Sequence, residues 1–225
     1  MSNYHSENVN VKITKNEFFQ RLYCGDTPIL TYHILYPQFS GILHGALRQM
    51  NRYYKRVAST YQHYYRTVLF KTAIENYKNA PEDGFTFQPF EANLYYEITL
   101  NHNCIVSLYY DRYEFTGGAH GNTVRFSDTW YIPLCKRLTL SNLLRDKLQY
   151  PCNLTQIIVD EIRKNPESYF PNPEKTVNDT MQPQNFYLSP QYLNIYFNQY
   201  DIAPYSSGIP VFSIPYERVG IVLPK

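Results

Sequence analysis

Apolar residues recur along the chain in two periods. Between 42 and about 77, Leu43, Leu47, Met50, Tyr54, Val57, Tyr61, Tyr64 and Val68 step by alternating fours and threes, which is one stripe of a long helix. Ala46, Tyr53, Ala58 and Tyr65 widen the stripe, while Arg48, Arg52, Lys55, Arg56 and Arg66 fall mostly outside it. The spacing also suits a coiled-coil seam, but half of the stripe is Tyr or Met, so packing across a sheet of the same chain is the expectation. Elsewhere the period is two. Leu94, Tyr96, Ile98 and Leu100 alternate with Asn93, Glu97, Thr99 and Asn101, a half-buried strand over 92–101. A turn at His102-Asn103 returns the chain through 104–115, with Val106, Leu108 and Tyr110 on one face. A third strand over 123–132 puts Val124, Phe126, Trp130 and Ile132 together. Short connections make antiparallel pairing the economical topology.

Segments 9–22 and 29–36 read as earlier strands, broken at 37–41, where Ser40 is placed to cap the helix. Pro81-Glu82-Asp83-Gly84 ends the helical region with turn chemistry. Ser141 is placed to cap a short helix through Leu143, Leu144 and Leu148. Asn153 is placed to cap a second, with Leu154, Ile157, Ile158 and Ile162 on one side and Pro166 closing it. Three prolines make 170–183 read as an exposed loop, 186–188 and 192–197 form a hairpin through Ser189-Pro190, and 211–214 with Pro215 is an edge strand. The expected fold class is α+β: an antiparallel sheet (a meander plus a C-terminal hairpin) packed against one long helix, with two shorter helices. No repeat or linker divides the chain, so 1–225 is expected as a single domain. Within it 29–80 holds a strand and the long helix, 85–135 the meander, and 141–222 helices and C-terminal strands.

Composition narrows the classes of function. The chain has 225 residues, long enough for a proper core without staples. Cys24, Cys104, Cys135 and Cys152 lie far apart with no C-x-x-C pair, so buried thiols are expected rather than a zinc or redox site. Lys+Arg 21 against Asp+Glu 19 gives a net charge of +2, too balanced to argue for a nucleic-acid or acidic-lipid partner. Met1 to Asn10 is polar, with His5 and Glu7 where a signal peptide needs a basic start and an apolar run. No stretch reaches the roughly 18 apolar residues of a membrane helix. As written, the chain is expected in the cytoplasm; trimmed of a leader, it would belong outside. Tyrosine is the outlier at 24 residues, which suits a binding surface and equally an AT-rich coding bias.

Between the second and third strands of the meander stands Phe115-Thr116-Gly117-Gly118-Ala119-His120-Gly121-Asn122-Thr123. Three glycines in five positions describe a tight hairpin connection. His120, between small residues, is open to approach, and an imidazole is a residue type suited to proton transfer. Asp111, Glu114 and Asp128 lie on the flanking strands, and a pair of carboxylates is the equipment of acid-base work on a glycosidic bond. Lone histidines in turns and carboxylates beside them are more commonly local hydrogen-bonding and solvated groups. There is no G-x-S-x-G elbow, and the six histidines show neither H-E-x-x-H nor another close metal spacing. No metal and no cofactor are expected.

Three passages resemble a bacterial family of unknown biochemical function, a domain found outside the membrane in RsiV-type anti-sigma factors and beside the deacetylase domain of PdaC-type peptidoglycan enzymes. They are Tyr36-Pro37-Gln38-Phe39-Ser40-Gly41 followed by Asn51; the glycine stretch itself; and a closing segment. The closing segment runs Phe186-Tyr187-Leu188, Tyr196-Phe197-Asn198, Tyr200-Asp201-Ile202-Ala203-Pro204-Tyr205, Gly208 and Phe212-Ser213-Ile214-Pro215-Tyr216. Ser206-Ser207 stands where small apolar residues are usual. The resemblance implies a long helix against an antiparallel sheet and, in RsiV-type members, recognition of lysozyme. The sigma-binding segment and the deacetylase domain have no counterpart here.

The leading expectation is a non-enzymatic recognition domain for a lysozyme-like protein or a cell-wall glycan such as a peptidoglycan fragment. Its candidate binding residues are Thr116, Gly117, Gly118, Ala119, His120, Gly121, Tyr200 and Tyr205. The alternatives are a glycan hydrolase using His120 with Asp111 or Glu114, and a purely structural domain.

Overall fold

The structure, a computed structural model, describes residues 11–80, 86–144, 150–221 and 223, with 150–153 as backbone only. The Pro81-Glu82-Asp83-Gly84 turn, Leu148, the side chains of Cys152 and Asn153, and the start of the first expected strand lie outside the described residues. Six strands form one sheet in the order β1 (Lys12–Cys24), β2 (Thr27–Ser40), β3 (Phe90–His102), β4 (Ile105–Phe115), β5 (Asn122–Tyr131) and β6 (Lys136–Arg137). A second sheet holds β7 (Phe186–Leu188), β8 (Tyr192–Tyr196) and β9 (Val211–Pro215). The chain divides into two compact units. One, the helix unit, is Lys12–Tyr96 with Tyr110–Val124; the C-terminal unit holds Val11, Glu97–Tyr109 and the chain from Arg125 onward. The class is α+β, as the patterns indicate.

In the helix unit, β1 and β2 pair antiparallel from Lys12↔Ser40 to Cys24↔Thr27. Pro37 does not break β2, contrary to the expectation. It sits opposite Lys15, beyond the last residue that β2 pairs with β3, where a proline costs no ladder bond on that side. Between β2 and β3 runs a helical stretch of α1 (His44–Tyr64), a π turn (Tyr65–Leu69) and α2 (Phe70–Asn79). Because a crossover this long brings the chain back to the same end of the sheet, β2 and β3 pair parallel, Leu30↔Phe90 to Ile34↔Leu94. That departs from the all-antiparallel expectation.

Ser40 does not cap the helix. Leu43 is the N-cap residue, with no side-chain bond. Asn51 instead reaches back from the second turn to grip Phe39, accepting from its N–H at 2.7 Å and donating to its C=O at 2.9 Å. The buried helical row is Leu47, Met50, Tyr54, Ala58, Tyr65, Leu69 and Ala73; from Ala58 onward it packs with Ile29, Leu30, Tyr32, Ile34, Phe90, Ala92 and Leu94, while the Tyr54 ring lies against Phe39. Val57, Tyr61 and Tyr64 flank it half-buried, and Val68 is 56% exposed. A stripe of alternating threes and fours has period 3.5 and drifts around a straight helix, so the true buried face leaves it after Tyr54.

The C-terminal unit has a mainly aliphatic core, into which Phe186, Phe197 and Phe212 also pack. Leu154, Ile158, Val159 and Ile162 of α4 (Tyr150–Ile162) join Leu188, Leu193, Ile195 and Ile214 of the second sheet. β7, β8 and β9 pair antiparallel, with β9 at the edge. The cap of α3 (Leu140–Leu143) is Thr139 rather than Ser141, in a reciprocal capping box with Asn142. α4 begins before Asn153, and it ends ahead of Pro166, which opens a short 3₁₀ turn. The stretch read as a loop contains α5 (Pro173–Thr180). Asn172 in the left-handed region and Pro173 in the first turn start it, and Val177 anchors it fully buried. The β3–β4 turn is Asn103-Cys104, one residue later than expected, with φ of 48° and 60°. Positive φ at both central residues is the hairpin geometry that matches strand twist. A last short helix, α6 (Tyr216–Val219), ends at Gly220.

Candidate functional site

The glycine stretch is the connection between β4 and β5, in the helix unit. Gly117 and Gly118 both have φ of 91°, where a Cβ is strained. Gly121 is needed for a different reason: a Cβ there would stand 2.4 Å from the Tyr113 ring. Gly118 N–H donates to the Gln88 side chain at 3.0 Å, tying the loop down. Thr116, Gly118, Ala119 and His120 are exposed, and the imidazole Nδ1 lies 3.1 Å from the carbonyl of Gly121.

Asp111 and Glu114 are three residues apart on β4, so strand alternation sends them to opposite faces, and they do not form a catalytic pair. Glu114 shares its face with Arg112, whose Nε lies 3.5 Å from Glu114 Oε1, an ion-pair contact that makes no hydrogen bond. Oε1 is buried although the side chain as a whole is 19% exposed. Arg112 also lies over the Tyr61 ring at 5.7 Å. Burial pushes the Glu114 carboxyl above its ordinary range, against the pull of Arg112. Tyr65 is fully buried in the π turn, its hydroxyl without a hydrogen bond, and burial followed by the Glu114 charge pushes its phenol up. Asp128 belongs to the C-terminal unit. It is buried and paired with Arg137 Nη1 at 3.1 Å, a structural ion pair.

Tyr200 and Tyr205 also belong to the C-terminal unit, and there the chain builds a platform. Asn198 Oδ1 accepts from the backbone N–H of Arg125 on β5 at 2.7 Å, and Asp201 Oδ2 accepts from Asn198 N–H at 2.8 Å. Burial raises the Asp201 carboxyl, and the Asn198 N–H partly offsets the rise. This turn carries Tyr200 at φ 68°, a left-handed conformation unusual for tyrosine. Tyr200 is 52% exposed, and its ring lies 6.0 Å from that of Tyr205 at an interplanar angle of 34°. Nearby in the same unit, the Arg125 guanidinium stacks 3.7 Å above the Tyr109 ring. Composition did not single out Arg125, Asn198 or Asp201; the Asn-x-x-Asp spacing of a side-chain-capped turn was the available signal. Among the described residues no group of three or more His, Cys, Asp and Glu is placed to hold a metal ion, and no helix is long and apolar enough to cross a membrane.

The closing segment that builds the platform is also the part of the chain matched by a family model. Residues 141–217 match DUF3298, a protein of unknown function. Residues 24–123, ahead of the DUF3298 segment, match the model of the deacetylase PdaC. Both sides of the resemblance drawn from the residues are therefore found. Two solved DUF3298 structures share the fold. A member from Bacteroides fragilis NCTC 9343 is 20% identical with a TM-score of 0.70, over 96% of this chain and 96% of that one. A Pseudomonas aeruginosa PAO1 protein is 18% identical with a TM-score of 0.65, over 97% and 96%. No curated protein matches the chain.

Proposed function

We propose that this chain is a non-enzymatic recognition domain that binds a lysozyme-like protein or a cell-wall glycan. The observation that carries the reading is the Tyr200–Tyr205 pair. Two aromatic rings are held side by side at the surface by a hydrogen-bonded turn, one of them on strained backbone. Strain of this kind persists where the surroundings impose it and clusters at ligand sites. Rigid tyrosines supply contact area at low entropic cost.

The test is binding of the Tyr200→Ala and Tyr205→Ala variants to lysozyme and to purified peptidoglycan. Lost binding with unchanged melting is expected, and undiminished binding would remove the pair from the site. One observation favours the hydrolase alternative, the raised pKa of Glu114, which a general acid needs. Release of soluble fragments from peptidoglycan by the protein, abolished by Glu114→Gln, would establish that reading instead.

A further inference from the structure

In the C-terminal unit a groove of about 540 Å³ runs beside the Tyr200–Tyr205 platform's own chain segment. One wall is Asn165, Glu167, Ser168 and Tyr169; the other is Ser206 and Ser207 between two prolines, Pro204 and Pro210. The walls are tied to each other. Ser207 Oγ donates to the Ser168 carbonyl at 3.1 Å, and Phe170 N–H donates to the Ile202 carbonyl at 2.9 Å. Asn165 Nδ2 donates to Ser168 Oγ at 2.8 Å, and the 3₁₀ turn Tyr205–Ser207 closes with Gly208 N–H on the Tyr205 carbonyl at 2.9 Å. The groove is thus held open by bonds that leave the Ser206 hydroxyl, the Asn165 amide oxygen and the Glu167 carboxylate exposed.

The lining chemistry selects a ligand class. Among the described residues no Lys, Arg or His lines the groove, so an anionic ligand would find no counter-charge from them there. Hydroxyl, amide and carboxylate groups would stay unpaired against an apolar ligand, which costs binding. A polyhydroxylated neutral ligand answers both conditions. Its hydroxyls exchange hydrogen bonds with Ser206, Asn165 and Glu167, and the apolar C–H face of its ring lies on a flat aromatic surface. Tyr169 lines the groove and supplies such a surface, and the Tyr200–Tyr205 pair adjoins the lining residues Pro204 and Ser206 in the chain.

We infer that the groove and the tyrosine pair form a saccharide-binding site, taking a short neutral or N-acetylated oligosaccharide. This rests on the recognition reading and narrows it to its glycan half. The volume falls in the range of ordinary ligand pockets, about 300–1,000 Å³.

Calorimetric titration of the full chain with triacetylchitotriose tests it, with lysozyme titrated separately. Saccharide binding that falls about tenfold in Ser206→Ala and in Glu167→Gln, one well-made hydrogen bond each, supports the site. Both positions are exposed, so melting should not move. Saccharide binding unaffected by either variant would place the glycan elsewhere and overturn the groove, with the recognition reading intact. No saccharide binding, with lysozyme bound in a Tyr200-dependent way, would also overturn it and leave recognition of a protein. Failure of both ligands to bind would overturn the groove and the recognition reading together.

Discussion

The two units cover their strands with helix in different ways. In the helix unit a single stretch, α1 through α2, lays aromatic rings on the sheet. Tyr65 contacts Tyr32, Tyr61 and Tyr64 at ring distances of 5.8, 6.1 and 5.5 Å. In the C-terminal unit, α4 and α5 contribute Leu154, Ile158, Val159, Ile162 and Val177, all aliphatic. The outer faces differ too. Arg48, Arg52, Lys55 and Arg56 lie on α1 with no acidic residue anywhere in that helix. The C-terminal helices lace their charges: Arg163 bridges Asp160 at 3.2 Å and also meets Glu174, and Lys175 pairs Asp179 at 2.9 Å. The polar side chains that the C-terminal unit buries find partners: Ser107 Oγ meets Thr129 Oγ1 at 2.8 Å, Asp128 pairs with Arg137, and Asn194 Oδ1 accepts from Ser213 Oγ at 2.7 Å. In the helix unit the Tyr65 hydroxyl and Glu114 Oε1 are the two buried side-chain atoms left without a hydrogen bond among the described residues. The helix unit therefore holds internal polar tension that the C-terminal unit lacks.

The sharpest way to break this comparison is to charge the helix-unit seam. Ala58→Asp should destabilise by roughly 3–5 kcal/mol, because Ala58 is fully buried and the carboxylate would have no partner. Val68→Asp, on the outward side, should stay within about 0.5 kcal/mol. Equal effects in thermal melts would mean that the buried row lies elsewhere on the helix.

Next in size is the glycine loop. Gly121→Ala must displace the Tyr113 ring and should cost about 1–3 kcal/mol, whereas His120→Ala should leave the melting temperature nearly unmoved. A steep loss at His120 would make its imidazole a structural strut.

The tension itself is tested by Tyr65→Phe, expected to be neutral or stabilising by up to about 1 kcal/mol, since it removes a buried hydroxyl that bonds nothing. A loss instead would show that the hydroxyl is satisfied through water. Glu114 gives the same test as a pH dependence. Its folded pKa is raised, so the folded state holds a proton that the unfolded state has released. Its contribution to stability should be full below the ordinary carboxylate range and be lost as pH rises through the raised value. Glu114→Gln should remove that loss and be the more stable protein at neutral pH; a parallel pH profile would refute the burial of Oε1. Smallest is the lacing of the C-terminal unit: Lys175→Ala should cost no more than about 0.5 kcal/mol and less in high salt.

Much of this architecture was legible in residue order. The period-two runs marked β3 to β5, the Ser189-Pro190 hairpin and the edge strand at Pro215 lie where the patterns place them, and the long helix is continuous. Misreadings cluster where a local signal has two meanings. Pro37 is a strand-breaker except at an unpaired edge, and Pro173 ends structure except as the first turn of a helix. For the candidate site, the aromatic positions 200 and 205 were visible as residues. Their mutual approach was not, because it depends on Asn198 reaching Arg125, a bond between residues 73 apart.

By itself the sequence determined the alternation that makes strands, the helical stretch, and the glycines whose missing Cβ the loop requires, since these depend on neighbours a few positions away. Only the tertiary structure decided which helical face is buried, that β2 and β3 run parallel, that Asp111 and Glu114 part company, and that Ser206 and Ser207 face Ser168 across a groove. Each of these is a relation between residues distant in the chain, set by how crossovers and side-chain bonds close loops, and no local pattern of polarity encodes it.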